Sequence, residues 1–267
     1  MHALANRRSN LTLAVGDNTV DMGTLLEGDI DNDNDVDAND ASVVNLAFGS
    51  TPASANWDPR ADLNGDGVVD ATDMGLIATN YGQVGDVELG SSAARRSVRT
   101  GSSGGESLEA SGSVALAFAP NALNVSMGDI FEVQVMLRAG SQPVDTVDLT
   151  IFFPGAALDI VDQAGNPVNT VQGNSTFGLE LANSVQNGTG TIHYAATKVG
   201  GSVTGDVQLA TLRFKATGPT RDWLRFSMAD PRTDVRYHGQ SVLGSWPAAR
   251  LQIMEEARIY LSMIIRK

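Results

Sequence analysis

Residues 29–40 read DIDNDNDVDAND, and residues 62–73 read DLNGDGVVDATD. The second stretch begins 33 residues after the first, and the two align without a gap. Asp29 falls on Asp62, Asp31 on Asn64, Asp33 on Asp66, Asp37 on Asp70 and Asp40 on Asp73. The register continues through apolar positions: Val36 falls on Val69, Val44 on Ile77, Phe48 on Tyr81 and Gly49 on Gly82. An alignment that keeps polar and apolar positions together identifies an internal duplication. Two copies are too few for a solenoid and suit a pseudo-twofold pair that shares one small core.

Oxygen-bearing side chains at alternate positions of a tight loop are what a hard divalent cation requires. Ca²⁺ takes six to eight oxygens at about 2.3–2.6 Å, and a twelve-residue loop supplies them from side chains at positions 1, 3, 5, 9 and 12 and a carbonyl at position 7. On that scheme the first loop offers Asp29, Asp31, Asp33, Asp37 and Asp40, with Asp35 at the carbonyl position. The second offers Asp62, Asn64, Asp66, Asp70 and Asp73, with Val68 at the carbonyl position. Position 6 needs a sharp turn, for which Gly67 is suited and Asn34 is tolerant. Position 12 is Asp in both loops rather than the longer Glu, so this ligand has to approach more closely. Carboxylates ~4 Å apart near a surface repel by about 4 kcal/mol, which disfavours ordering without a cation. Two Ca²⁺ ions are therefore expected, the alternative being a pair of Asx-rich turns that cap helices. Val36 and Val69 at position 8 predict a short antiparallel bridge between the loops.

Each loop leads into an apolar stripe at helical spacing: Val43, Val44 and Phe48 after the first, Leu76, Ile77 and Tyr81 after the second. The spacing predicts short helices over 40–48 and 73–81 around a shared core. No entering helix is expected, because Gly28 precedes the first loop and Asp58, Pro59 and Arg60 precede the second. Duplicated loop-helix units without an entering helix, with Asp at position 12 and a Gly closing each helix, resemble a dockerin module over about residues 25–85. The resemblance implies two bound calcium ions and docking onto cohesin-bearing proteins, commonly on bacterial scaffolds or cell surfaces. It also implies partner selection at loop positions 10 and 11, here Ala38 and Asn39, and Ala71 and Thr72. Of these only Thr72 is a hydroxyl residue, and Asn45, Leu46, Ala78 and Thr79 stand where many members carry basic residues. The Ala38–Asn39 and Ala71–Thr72 pairs predict a foreign rather than an internal partner.

The charge distribution agrees with a localised cation site. The net charge is −13, yet residues 16–88 hold 16 acids against one base, Arg60, while the rest of the chain holds 15 acids and 17 bases. A nucleic-acid partner is disfavoured, because phosphate contacts need a basic surface. There are no cysteines, which excludes disulfides, thiolate metal sites and a Cys nucleophile. No run of 18 apolar residues is present, so no transmembrane span is expected.

Residues 86–112 are rich in Gly and Ser and lack apolar periodicity, as a flexible linker does. A chain of that length has a root-mean-square span of roughly 30 Å. It predicts two modules that tumble independently, with no complex between them. Residues 113–247 alternate: Val114, Leu116, Phe118; Phe131, Val133, Val135, Leu137; Val147, Leu149, Ile151, Phe153; Ile192, Tyr194, Ala196; Leu209, Leu212, Phe214; Leu224, Phe226. Turn clusters at 128, 165 and 187 separate these runs, a pattern that predicts a two-sheet β-sandwich. The segments GDIFEVQVMLRAGSQPVDTVDLTIFFPGAALDIV and GDVQLATLRFKATGP resemble early and late strands of a cohesin domain. An unrelated adhesin or immunoglobulin-like sandwich fits the same alternation. The fold class expected is thus multi-domain: a small all-α paired loop-helix module and an all-β, jelly-roll-type sandwich.

Leu11, Leu13 and Val15 alternate, as do Val20 and Met22, which reads residues 1–24 as the remnant of an upstream β segment. Residues 248–267 form an amphipathic tail with no assigned role. No GxSxG, HExxH or phosphate-binding loop is present, and carboxylate pairs such as Asp148 and Glu180 carry no specificity among 31 acids. His193, beside Tyr194 on a strand, is expected to be a surface or packed residue. No catalysis is expected. The reading is a calcium-dependent assembly protein of an extracellular or cell-surface system, touching polysaccharide only indirectly. The alternative is a fragment of a larger secreted enzyme or carbohydrate-binding protein.

Overall fold

The computed structural model describes residues 15–17, 26–85, 112–229 and 233–255. The expected upstream β remnant apart from residues 15–17, nearly all of the linker and the end of the tail lie outside them. Two helices, α1 (Ala38–Ala47) and α2 (Ala71–Asn80), form the first module. Each begins two residues before the apolar stripe suggests, because Asp37 and Asp70 act as N-caps. The Asp37 carboxylate accepts from Asn39 N at 2.7 Å, and Asp40 accepts from Asp37 N at 2.9 Å. The second copy repeats this box with Asp70, Thr72 and Asp73 at 2.7 and 2.8 Å. Such reciprocal caps satisfy N–H groups that a helix start leaves unpaired. Among the described residues no helix precedes either loop.

Val36, Val44, Ala41, Val69, Met74 and Ile77 meet in the core of this module, all essentially inaccessible to water. The bridge expected between Val36 and Val69 is not formed. Val36 instead exchanges backbone hydrogen bonds with Gly82 and Gln83, and Val69 with Gly49 and Ser50, at 2.7–3.0 Å. Each loop is therefore clamped by the segment that leaves the other helix. Gly49 and Gly82 turn the chain into those positions at φ +78° and +79°, a region that costs an L side chain strain.

The second module is a β-sandwich. Its strands are β1 (Val114–Ala119), β2 (Ala122–Ser126), β3 (Ile130–Arg138), β4 (Thr146–Phe152), β5 (Leu158–Ile160), β6 (Gln172–Gly173) and β7 (Gly178–Gln186). They are followed by β8 (Thr191–Lys198), β9 (Asp206–Ala216), β10 (Thr220–Phe226), β11 (Asp234–Tyr237), β12 (Gln240–Ser241), β13 (Leu243–Ser245) and β14 (Ala249–Met254). One sheet runs β13-β1-β3-β9-β5, with β6 on β9. In the other, β4 pairs with β8 along one edge, and with β11 and β10 at successive parts of the opposite edge. β7 pairs with β8, while β14 lies between β10 and β2. The runs picked out by alternation are the buried sides of β1, β3, β4, β8, β9 and β10, and Phe214, Leu116, Leu149 and Leu212 form the centre of the core. The expected tail over 248–267 is corrected in its first part: Ala249, Leu251 and Ile253 alternate inward and make β14 an integral strand of the sandwich. Pro247 precedes this strand, where its missing N–H costs no ladder bond.

The helix pair is seated on the outer face of the β7-β8-β4-β11 region. Strand alternation sends Ile192, Tyr194 and Ala196 inward and His193 and Ala195 outward, toward the helices. Leu181 and Ala195 of the sheet join the core cluster of the helical module, with Leu179, Ala182 and Val199 packed beside it. This corrects the expectation of independent modules. That expectation rested on the composition of the linker and on four loop-end residues, whereas the contact is made largely further along the helices.

Candidate metal centres and docking interface

The first carboxylate of each loop gathers the backbone around itself. Asp29 accepts from Asp33 N and Asn34 N, each at 3.1 Å. Asp62 accepts from Gly65 N, Asp66 N and Gly67 N at 2.9, 3.2 and 3.0 Å. The position-6 residues adopt the left-handed region that this turn requires, Asn34 at φ +79° and Gly67 at φ +87°. Asp40 and Asp73 are fully buried and hold the loop entry to the helix start: Asp40 accepts from Ile30 N at 2.7 Å, Asp73 from Leu63 N at 2.8 Å. A short Asp suits position 12 because its carboxyl is already inside the turn.

Asp29, Asp31 and Asp40 bring carboxylate oxygens within 4.8 Å of one another, and so do Asp33, Asp35 and Asp37. Without a cation, burial raises the Asp40 carboxyl to about 8, although the N–H groups of Asp37 and Ile30 pull it down. Burial, then hydrogen bonding and charge from Asp35, raise Asp33 to about 6. Asp29 and Asp31 are raised for the same first reason, burial. Oxygen donors crowded and desolvated in this way fit a hard divalent cation, which would remove the penalty of ionising them. In the second loop Asp62 and Asp73 are buried, Asn64 and Asp66 are exposed and hydrogen-bonded to each other at 2.9 Å, and Asp70 caps α2. Val68, assigned a carbonyl role, is 38% exposed and donates its N–H to Asp66 at 2.9 Å.

The residues at loop positions 10 and 11 separate. Ala38 is buried, and Asn39 accepts from Arg236 Nη1 of β11 at 3.0 Å while its amide group donates to Asp31. Ala71 and Thr72 are exposed to solvent. One side of the duplication faces the sheet at these positions and the other does not.

The remaining contacts come from residues the loop scheme did not single out. Ser42 Oγ donates to Asp145 Oδ1 at 2.8 Å and accepts from Gly239 N at 2.7 Å. The Asn45 amide accepts from Gly200 N at 2.7 Å and donates to Gly201 O at 3.2 Å. Phe48 lies over Gly200, where a Cβ would stand 2.9 Å from its ring and the backbone has φ +67°. Tyr81 Oη donates to Asp148 Oδ2 at 2.7 Å, and Asp148 Oδ1 pairs with His193 Nε2 at 2.9 Å. Burial, then the Asp148 charge, push the Tyr81 hydroxyl well above its ordinary range. For His193 burial works downward, and the Asp148 hydrogen bond and charge outweigh it, so its value is raised. Asp145 is raised by burial and held back by the His238 N–H and Ser42. His193 is thus a packed interface residue, and Asp148 is held in a structural pair. The available signal for this face was apolar residues on the outward positions of strands, Leu179, Leu181 and Ala195.

Residues 27–80 match a family model described as the dockerin type I domain. No curated protein matches the chain. Several solved cohesin structures resemble part of it. CaCohA2 from Clostridium acetobutylicum is 16% identical over 54% of this chain and 92% of its own, with a TM-score of 0.42. A type II cohesin domain from the cellulosome of Acetivibrio cellulolyticus is 14% identical over 52% and 93%, with a TM-score of 0.42. A non-cellulosomal cohesin from the archaeon Archaeoglobus fulgidus is 18% identical over 53% and 89%, with a TM-score of 0.38. No described helix is long and apolar enough to cross a membrane.

Proposed function

We propose that this chain is a non-catalytic, calcium-dependent assembly protein in which a dockerin domain and a cohesin-like sandwich act as complementary docking modules. The observation that supports this best is the seating of the duplicated loop-helix unit on the outer sheet face through a closed set of polar contacts. Asp29, Asp31, Asp33, Asp37 and Asp40, with the Asp35 carbonyl, would hold one Ca²⁺. Asp62, Asn64, Asp66, Asp70 and Asp73, with the Val68 carbonyl, would hold the second. The ions would supply positive charge to loops that are otherwise self-repelling. The loops would order, and with them the helix starts that carry Asn39 and Ser42 to the sheet. Partners outside the chain would be proteins bearing either module, in an extracellular or cell-surface setting close to polysaccharide-degrading systems. Calorimetric titration of the full chain with Ca²⁺ tests the loop assignment. Two sites are expected, both lost when Asp29→Ala and Asp62→Ala are combined; one site or none in the parent chain would sink the duplicated-loop reading.

A further inference from the structure

The helix pair is nearly symmetric in backbone, because both copies share the capping box, the closing Gly and the crosswise clamp. A half-turn of the module would bring α2 to where α1 lies. The side chains that meet the sheet do not share this symmetry. At the offset of 33 residues, Ser42 corresponds to Gly75 and Asn45 to Ala78, while Asn39 corresponds to Thr72. Ser42 and Asn45 are the residues whose polar atoms are fully engaged across the interface, with Asp145, Gly239, Gly200 and Gly201. Gly75 has no side chain and Ala78 no polar atom to offer these groups.

We infer that the receiving face of this sandwich accepts only one of the two pseudo-equivalent faces of the helix pair, and that Ser42 and Asn45 determine which. The inference rests on the assembly reading above and adds its polarity. In the turned orientation the Asp145 carboxylate, the N–H groups of Gly200 and Gly239 and the carbonyl of Gly201 would all be covered by Gly75 and Ala78. Buried polar groups left without partners are the strongest discriminators between similar partners, because each loses its water without a replacement. Phe48 and Tyr81 reinforce the choice. Turned, Phe48 would come to Asp148 without a hydroxyl to donate, and Asp148 would lose the hydrogen bond that Tyr81 gives it. The α2 face at Thr72, Gly75 and Thr79 is left exposed in the same arrangement.

The test begins with the full chain carrying a protease site within residues 86–111, cut after folding in Ca²⁺. Dissociation of the two pieces is then followed by dilution. The parent pieces are expected to stay together. Ser42→Ala with Asn45→Ala is expected to weaken association by ~100-fold or more, the loss of several satisfied buried groups. Asn45→Asp, which sets a carboxylate against the Gly201 carbonyl on an otherwise unchanged helix, is expected to weaken it by ~10-fold or more. It keeps the test valid if the double variant folds poorly. Adding Gly75→Ser and Ala78→Asn to the double variant should recover part of the association by letting α2 take the place of α1. If the parent pieces separate in Ca²⁺, both the assembly reading and this inference fail. If they hold together and neither Ser42→Ala/Asn45→Ala nor Asn45→Asp weakens them by as much as threefold, the assembly reading stands and the polarity is overturned.

Discussion

The two modules are held together by different physics. The sandwich closes a broad core around Phe214, Leu116, Leu149 and Leu212, and its polar backbone is satisfied by two ladders. The helix pair has a core of mainly Val, Ala, Ile and Met side chains, and two of the buried residues in that cluster, Leu181 and Ala195, belong to the sheet. Its loops spend buried carboxylates on organising turns. A fully buried large side chain contributes roughly 1.5–3 kcal/mol, so the sandwich can stand on burial alone. The helix pair completes its core with side chains of the sheet, and its crowded carboxylates are ones that a cation would neutralise.

Removing calcium should separate the two most. A chelator is expected to melt α1 and α2 while the amide signals of β3, β4, β8 and β9 stay dispersed, since binding energy to a site absent in the unfolded chain becomes folding energy. Helical signal that survives chelation unchanged would erase the contrast. The converse cut goes through the core: Phe214→Ala should cost the sandwich about 3–5 kcal/mol without altering the calcium stoichiometry measured by calorimetry. A thermal scan in which the helix pair melted together with the weakened sandwich in this variant would show that the modules share one cooperative unit.

A graded effect is expected from pH in chelator. The Asp40 carboxyl rises from 3.8 to about 8 in the folded loop, so folding favours its protonated form. That contribution is fully present below about 3.8 and is lost as pH rises toward about 8. Metal-free helicity should therefore increase on acidification from pH 8 to 5, and circular dichroism that falls over this range would contradict the burial of Asp40. The smallest change is Tyr81→Phe, which removes one hydrogen bond to a carboxylate that His193 still pairs. Docking should weaken by about 1–2 kcal/mol, read as a lower melting point for the helix pair with the sandwich transition unmoved.

Local chemistry was legible from sequence and long-range fit was not. The alternation of Asp and Asn at 29–40 and 62–73 placed the loops, and the helices followed to within two residues; Asp37 and Asp70 moved the starts because one side chain serves both loop and cap. Strands with an apolar inner side and a polar outer side, such as β3, could be read directly. β7 could not, because Leu179 and Leu181 lie on its outward side and are covered by the helices, which blurs the alternation. Ser42 reads as an ordinary polar position on a short helix, and Asn45 stands out only as a departure from the basic residue that the resemblance implies there. Their significance depends on Asp145 and Gly200, 103 and 155 residues away, and no local period carries that information. Val36 and Val69 show the same limit at shorter range, since the partners they found lie beyond the opposite helix.

The place of β14 bears on the order in which the molecule can be made. It lies between β10 and β2, so residues 122–126 have no neighbour on their sheet until 249–254 are present. On a ribosome the chain of the helix pair is synthesised by residue 85, while the sandwich is still to come. The sheet that receives it gains its last strand more than 160 residues later. Translation thus delivers the plug before its socket, and for that interval the core of the helix pair lacks Leu181 and Ala195, which only the sheet supplies.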